Sequence, residues 1–262
     1  MTTQTETETE TETGTCEEHG EYEIKVFALG GLSNHRAAIG GAKCPTCESI
    51  YQAKLSKAHE LQREEKRKLK IKECIEQFER QIPKRFNSAS LKSYVIQNEG
   101  QRKAMNICHK YLTGFDTAIK NTGGGLIFSG TVGTGKTHLA IAIGRELSKR
   151  GVDVDYANLT DLIRRVRATW SGEGNERDVI GQLQKCGLLI IDEVGVQAGS
   201  ENERNMLFEI IDGRYQNILP TIIISNLERA KISELISERS VDRITQGGAV
   251  IPFNWNSERS VK

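Results

Sequence analysis

The sequence predicts a three-layer α/β domain with a parallel sheet, preceded by a small metal-stabilised module and a long helix. Apolar runs at residues 188–191 and 221–225 lack polar alternation, which is typical of strands buried on both faces. Segments with helical spacing of apolar residues separate such runs, and strands that alternate with helices form a parallel sheet covered on both sides. The 262 residues provide room for one substantial domain and one smaller module.

Charge is distributed unevenly along the chain. The net charge is +1, whereas the first 24 residues hold eight Glu and neither Lys nor Arg, so residues 25–262 carry +9. A basic body with an acidic tail is compatible with a nucleic-acid partner. The sequence contains no apolar stretch of about 18 residues and no charged-then-apolar leader, so we expect a cytoplasmic protein without a membrane partner. Cysteines are reduced in that compartment, and paired cysteines there indicate a metal before a disulfide.

The first 15 residues are nearly all Thr and Glu in alternation. Alternation can indicate a strand, but every second residue here is charged and the others offer almost no apolar surface to bury. We therefore predict a disordered acidic tail over residues 1–15.

Four potential metal ligands follow the tail. They are Cys16, His19, Cys44 and Cys47. Two residues separate the members of each pair, and about 24 residues separate the pairs, a spacing typical of tetrahedral zinc sites. We predict a zinc-ribbon-like module over residues 16–50, in which Zn²⁺ supplies stability that the small core cannot. The alternatives are a redox dithiol of Cys44 and Cys47 alone, and His35 as a substitute ligand.

Residues 48–82 are dense in charge and contain neither Gly nor Pro, which predicts a long helix that ends before Pro83, and we assign residues 51–82 as a charged helical linker. Over residues 54–85, eleven Lys and Arg oppose six Glu. One face repeats apolar residues at helical spacing: Ile71, Ile75, Phe78 and Ile82. The helix is either a solvated spacer whose C-terminal end packs on the next domain or a partner-docking helix. In the second case its basic side chains would also contact phosphates: Arg63, Lys66, Arg67, Lys68 and Lys70.

Residues 83–262 form the predicted α/β domain, which opens with a helix over 101–112. Strands are expected at 126–129, 152–156, 188–191, 221–225 and 250–253. Helices are expected at 138–150, 159–169, 179–185, 203–215, 228–237 and 238–245. Pro252 cannot donate a ladder hydrogen bond, so the last strand suits an edge position. The isolated Cys74, Cys108 and Cys186 are assigned to the core or to helix faces.

A glycine-rich loop joins the strand at 126–129 to the helix that follows it. Its residues are Gly130, Thr131, Val132, Gly133, Thr134, Gly135, Lys136 and Thr137. Two glycines five positions apart, followed by Lys and Thr, fit the P-loop pattern. The loop N–H groups and the helix N-terminus, up to His138, would hold a nucleoside triphosphate. Lys136 would reach the β- and γ-phosphates, and the Thr137 hydroxyl would bind Mg²⁺.

Two adjacent acids end the apolar run at 188–191. Asp192 lies 55 residues after Thr137 and would hold the same Mg²⁺ from the other side. Glu193 is expected to orient and deprotonate the attacking water. A switch GTPase would usually carry an apolar residue and Gly after the Asp, and no Asn-Lys-x-Asp motif is present. The sequence therefore predicts an ATPase.

Together with the end of the chain, these motifs indicate a resemblance to one protein family. Residues 83–262 resemble the AAA+ domain of the DnaC family of bacterial replicative helicase loaders. The matching segments are 130–139, 188–197, 225–226, 238–243 and 253–259. The segments at 238–243 and 253–259 discriminate most, because a P-loop and an Asp-Glu pair occur in all AAA+ proteins. The preceding zinc-and-helix region resembles that of some phage and prophage members, not the all-helical region of the enterobacterial loader.

The resemblance implies an AAA+ fold without a full helical lid, because only nine residues follow Phe253. It implies that Asn226 is sensor I, reading the γ-phosphate or polarising the water. Arg243 would be the arginine finger that reaches the ATP of a neighbouring subunit, with Arg239 as the fallback. Arg259 would be sensor II. A helix cap for Asn226 and ordinary ion pairs for the arginines are the structural alternatives.

The resemblance also implies a function. The chain would be a slow ATPase that binds a DnaB-type replicative helicase, delivers it to single-stranded DNA and associates with itself through its AAA+ domains. The implied cofactors are ATP, Mg²⁺ and Zn²⁺. The implied location is the cytoplasm of a bacterial cell, and one option is that the gene belongs to a phage or prophage. Either a DNA contact or a solvated helix with a packed Trp is expected at Arg164, Arg165, Arg167 and Trp170. The alternatives are an IstB-like transposition helper on duplex DNA and a nucleotide-gated helicase adaptor that needs no turnover.

Overall fold

A computed structural model of the chain describes residues 9–28, 36–38, 44–170, 174–195 and 201–257. The chain divides into two compact units, Met1–Arg67 and Lys68–Lys262. The first unit contains an antiparallel sheet with the strand order β1 (Thr9–Cys16), β2 (Gly20–Ala28) and β3 (Arg36–Ala38). The helix α1 (Pro45–Gln81) begins in the first unit and ends in the second.

The prediction of a disordered tail is wrong for residues 9–15, because they form most of β1. Every residue of this strand pairs with β2, from Thr9 opposite Phe27 to Cys16 opposite Gly20. The β-branched side chain of threonine favours an extended backbone, and β2 supplies a complete set of hydrogen-bonding partners. These two factors compensate for the lack of apolar residues in β1. Residues 1–8 of the predicted tail lie outside the described residues.

The long helix begins earlier than predicted, at Pro45, so the predicted boundary after residue 50 falls inside α1. Proline suits the first turn of a helix because its missing N–H would have no helical partner there. The last turns of α1 pack on the second unit's own helices, as the apolar face predicted. Phe78 is fully buried against Gly144, and Arg145 donates two hydrogen bonds to the Glu79 carboxylate, at 2.6 and 2.8 Å.

The second unit is built on a parallel sheet with the strand order β5-β6-β7-β4-β8. Its strands are β4 (Leu126–Gly130), β5 (Val154–Asn158), β6 (Leu188–Asp192), β7 (Thr221–Ser225) and β8 (Ala249–Phe253). Its helices after α1 are α2 (Glu99–Thr113), α3 (Lys120–Thr122), α4 (Lys136–Ser148), α5 (Leu159–Trp170), α6 (Glu176–Leu183), α7 (Glu201–Gln216), α8 (Arg229–Ile236) and α9 (Glu238–Thr245). The predicted strands and helices are all present, and β8, which contains Pro252, is an edge strand as expected.

The core has two apolar clusters that share the strands of this sheet. Successive side chains of β4 and β6 alternate between them: Phe128 and Ile190 belong to the cluster with α2 and α4, whereas Ile127 and Ile191 belong to the cluster with α5, α6 and α7. Since successive side chains of a strand point to opposite faces, the two clusters cover both sides of the sheet. The three-layer α/β prediction is therefore confirmed.

The strand order determines where the sequence motifs meet. Parallel strands end at the same edge of a sheet, and ligands bind there, outside the carboxyl ends. The glycine-rich loop follows β4, Asp192 ends β6, and Asn226 follows β7, which lies between those two strands. Among the residues that the structure describes, none of the helices has the length of apolar sequence that a membrane span requires.

Candidate functional site

The loop between β4 and α4 adopts a conformation that its glycines permit. Gly130, Gly133 and Gly135 have φ values of 126°, 82° and 91°, in the region that side chains disfavour. A Cβ atom at Gly135 would lie 2.6 Å from the Tyr94 ring, so the close approach also requires glycine. The loop leads directly into α4, and the N-terminus of a helix is suited to bind an anion.

Lys136 is the first residue of α4, and its side chain turns back over the loop. It is 5% exposed, and its Nζ donates to the carbonyl oxygens of Gly130 at 2.8 Å and Thr131 at 2.6 Å. Both of these acceptors are neutral. A phosphate oxyanion is a stronger partner for an ammonium group, so this side chain is suited to bind the polyphosphate of a nucleotide.

Asp192 and Thr137 come together as the sequence predicted. The Thr137 hydroxyl donates to Asp192 Oδ2 at 2.9 Å, and Glu193 N donates to Asp192 Oδ1 at 2.7 Å. Burial raises the pKa of the Asp192 carboxyl, while the hydrogen bonds from Thr137 and from the Glu193 backbone lower it. A carboxylate and a hydroxyl are the hard oxygen ligands that Mg²⁺ prefers, so the two residues fit the predicted magnesium site.

A third donor to Asp192 is absent from the sequence prediction. Tyr156, on the neighbouring strand β5, donates its hydroxyl to Asp192 Oδ2 at 3.0 Å. Burial raises the pKa of Tyr156 well above its usual value, and the nearby Asp192 carboxylate raises it further. The sequence offered no signal for this contact, because a tyrosine in a buried strand also serves as an ordinary core residue.

One cavity of about 300 Å³ joins most of the predicted nucleotide-site residues, although Gly130 and Thr131 do not line it. Loop residues from Val132 to His138 line it together with Asp192, Glu193 and Asn226. Glu193 is exposed at the cavity and has a φ of 57°, a conformation that is costly for a residue other than glycine and is concentrated at functional sites. The segment between α1 and α2 also lines the cavity, with residues that no motif marked: Arg85, Phe86, Ser93, Tyr94 and Val95.

Two aromatic side chains hold the turn of the loop from outside. Tyr94 Oη and Trp255 Nε1 both donate to the carbonyl oxygen of Thr134, at 3.3 and 3.1 Å. The Thr131 hydroxyl is within bonding distance of the carbonyls of Phe253 and Trp255, at 3.2 and 3.1 Å. The segment at 253–259, which supports the family resemblance and contains the predicted sensor II residue Arg259, is therefore in direct contact with the P-loop through its described part.

Two of the predicted arginine residues, Arg239 and Arg243, lie away from the cavity. Arg243, on α9, forms an ion pair with Asp212 of α7, and its guanidinium lies 4.9 Å from the centre of the Tyr215 ring. Arg239, on the same helix, is exposed. Neither arginine lines the cavity of its own chain. Arg259 lies outside the described residues.

The arginines of α5 all have acidic neighbours. Arg164 pairs with Asp161 at 3.2 Å, Arg165 with Asp155 at 3.5 Å, and Arg167 with Glu203 at 2.8 Å. Asp155 is 6% exposed and Glu203 is largely covered, so the last two pairs neutralise carboxylates of the domain itself. For the three arginines, these contacts favour ion pairs within the domain over a DNA contact; the side chain of Trp170 lies outside the described part of the chain.

The four predicted zinc ligands converge in the first unit. Cys16 Sγ lies 3.6 Å from both His19 Nδ1 and Cys47 Sγ, and Cys47 Sγ lies 3.3 Å from His19 Nδ1. Including Cys44, all four ligand atoms lie within 4.8 Å of one another. Zinc–sulfur bonds of about 2.3 Å and zinc–nitrogen bonds of about 2.0 Å place the corners of a tetrahedron about 3.5–3.8 Å apart, so the cluster is compatible with Zn²⁺.

Sequence comparison places these sites in a family. The model of the IstB-like ATP binding protein family matches residues 60–261. The replicative helicase loader DnaC of Escherichia coli strain K12 is 35% identical over 175 residues, which are 66% of this chain and 70% of that protein. DnaC of Buchnera aphidicola subsp. Schizaphis graminum is 34% identical over 177 residues, with the same coverage.

Comparison with solved structures also finds a DnaC helicase loader among the similar proteins. A crystal structure of the DnaC helicase loader is similar with a TM-score of 0.58 and 28% identity, over 65% of this chain and 99% of that one. The replication initiator DnaA bound to AMPPCP and single-stranded DNA is similar with a TM-score of 0.55 and 25% identity, over 65% and 51%. The fold is therefore that of an AAA+ protein, and the chain belongs to the IstB-like ATP-binding proteins and, among them, to the DnaC family of replicative helicase loaders.

Proposed function

We propose that this chain is an ATP-hydrolysing helicase loader, which binds a DnaB-type replicative helicase and helps deliver it to single-stranded DNA. The observation that carries the proposal is the single cavity in which the P-loop, Asp192 and Glu193 meet, in a chain of the DnaC family. ATP binding would change the assembly state and the DNA affinity, and hydrolysis would release the helicase.

The residues around the cavity have complementary tasks in hydrolysis. The loop N–H groups and Lys136 bind the phosphates, and Glu193 accepts a proton from the water that attacks the γ-phosphorus. The bond from the γ-phosphorus to its bridging oxygen breaks, and ADP and phosphate result. Asn226 would hold the water or the γ-phosphate. Bound Mg²⁺, held by Thr137 and Asp192, would neutralise charge on the β- and γ-phosphates.

Completion of the site by a neighbouring subunit is part of the proposal. Arg243 would leave Asp212 and reach the ATP of the next copy, since it does not line the cavity of its own chain. Arg239 is the fallback because it is exposed on the same helix. An arginine supplied in trans accounts for the slow turnover that we expect from the isolated chain.

The first unit would serve as the attachment arm. We assign Zn²⁺ to Cys16, His19, Cys44 and Cys47, since their ligand atoms lie within 4.8 Å of one another and a bound ion would stabilise so small a module. Large apolar side chains of α1 are exposed, which favours the partner-docking interpretation over a solvated spacer. They are Ile50, Tyr51, Leu55, Leu61 and Leu69. Self-association, single-stranded DNA binding and a bacterial cytoplasmic location stay predictions from the sequence.

The decisive experiment mixes the full chain with the host replicative helicase, ATP and single-stranded DNA. We expect a stoichiometric complex that depends on ATP and leads to helicase on the DNA. A chain that forms no helicase complex in ATP but stimulates a transposase on duplex DNA would instead be an IstB-like helper, which the family model's name keeps open. A Glu193→Gln variant that binds ATP without hydrolysis, yet loads helicase fully, would indicate the adaptor function.

A further inference from the structure

We infer that Tyr156 is a positioning residue of the ATPase, which acts on the bound magnesium ion through Asp192. Its hydroxyl and that of Thr137 donate to the same carboxylate oxygen, Asp192 Oδ2, at 3.0 and 2.9 Å. The other oxygen accepts from Glu193 N at 2.7 Å. Three donors from three elements therefore determine the orientation of the carboxylate, and Tyr156 is the one that no motif contains.

The position of Tyr156 is itself fixed from three sides. It is 8% exposed and packs in the apolar cluster that contains Phe128 and Ile190. Its backbone N–H lies on the free edge of β5 and donates to Gln81 Oε1 of α1 at 2.7 Å. The ring is thus held from the strand, the core and the end of α1, and the hydroxyl has little freedom to leave the carboxylate.

The contact matters chemically because it restricts the rotation of the Asp192 carboxylate. With Oδ2 already bonded to Tyr156 and Thr137, the carboxylate is kept at the start of α4, where Thr137 also faces the cavity. Without the phenol, the carboxylate would rest on one hydroxyl and one backbone N–H, and could rotate away from the metal position. Partners that orient metal ligands in this way typically contribute roughly 10- to 100-fold to metal affinity or activity.

The test compares Tyr156→Phe with Tyr111→Phe. Tyr111 is also buried, and its hydroxyl donates to the Gly124 carbonyl at 3.1 Å, so the control removes an equivalent buried hydroxyl from another part of the domain. Binding of N-methylanthraniloyl-ATP to the full chain is measured by fluorescence during a Mg²⁺ titration, and again in EDTA. Thermal unfolding of both variants is recorded beside the wild type.

We expect Tyr156→Phe to raise the Mg²⁺ midpoint roughly tenfold, with unchanged nucleotide affinity in EDTA, and Tyr111→Phe to keep the wild-type midpoint. In an Asp192→Asn background, Tyr156→Phe should add nothing, because the residue it acts through is already altered. A wild-type midpoint in Tyr156→Phe, or an equal loss of nucleotide affinity in EDTA, would overturn the inference. The inference rests on the proposed magnesium–ATP site: a wild-type chain that binds the nucleotide without any effect of Mg²⁺ would refute that site first.

Discussion

Trp255→Phe should weaken ATP binding without unfolding the domain. The substitution removes the indole N–H that donates to Thr134 O at 3.1 Å, and leaves that carbonyl with the longer bond from Tyr94, at 3.3 Å. A phenyl ring at position 255 retains apolar surface toward Phe253, whose ring centre lies 4.8 Å from that of Trp255, and toward Gly100. The change is therefore close to a deletion of one hydrogen bond.

The expected magnitude follows from that one bond. A neutral intramolecular hydrogen bond contributes about 1 kcal/mol, which corresponds to roughly fivefold in a binding constant. The N–H groups of the P-loop converge on phosphate only while the loop keeps its turn. In the variant the turn is looser, so ordering it on ATP binding consumes part of the binding free energy. We expect the dissociation constant for ATP to rise about three- to fivefold.

The assay is the fluorescence titration of N-methylanthraniloyl-ATP, carried out on Trp255→Phe, Tyr94→Phe and the double variant. Because both side chains donate to one buried carbonyl, their losses should not be additive, and the double variant should lose more than the sum of the single free-energy changes. An unchanged dissociation constant in Trp255→Phe, or strict additivity with Tyr94→Phe, would refute the role of the Thr134 carbonyl.

Four further outcomes test the remaining sites. Glu193→Gln should bind ATP as the wild type does and hydrolyse it roughly 10²–10⁴ times more slowly, measured by phosphate release; comparable turnover would exclude Glu193 as the base. Arg243→Ala should lower the rate of hydrolysis by roughly 10³-fold or more in the assembled complex. Arg239→Ala is the matched control on the same helix, and a loss seen only in Arg239→Ala would identify Arg239 as the arginine finger. Purified protein should contain about one zinc per chain, and Cys47→Ser should lose that zinc while retaining ATP binding; a zinc-free chain with a fully folded first unit would contradict the assignment. Arg214→Met should destabilise the second unit by about 3 kcal/mol in denaturant unfolding, because the buried carbonyls of Leu183, Cys186 and Pro220 lose the guanidinium donor that now lies at 2.6–2.9 Å; a loss below about 1 kcal/mol would show that the domain adjusts.

The sequence predicted the second unit well because its elements carry local signals. Apolar runs such as β6 and β7 are recognisable as buried strands, and the P-loop combines glycine positions with a lysine whose role is local. The convergence of Thr137 and Asp192 was also predictable, since the carboxyl ends of parallel strands share one edge. In these cases, the information that determines the contact lies within a few residues or in the order of the strands.

β1 was not predictable in the same way. Its Thr and Glu residues have no apolar face, so composition alone favours disorder. What determines the strand is its neighbour β2, which provides a partner for each of its eight residues. Such pairing depends on the other strand as much as on the strand itself, and a window of 15 residues does not contain it.

The side chains that support the nucleotide site were missed for a related reason. Tyr94, Tyr156 and Trp255 come from a loop, an edge strand and the segment after β8, and they reach the site through hydroxyl or indole groups. In sequence, each is an aromatic residue among others, and an aromatic residue is more often part of the core. Only its distance from a specific acceptor distinguishes it, and that distance is a property of the folded sheet. Support residues of this kind are therefore found by examining the hydrogen bonds of motif residues such as Asp192. The motif identifies the acceptor from the sequence, whereas the donor is known only from the folded structure.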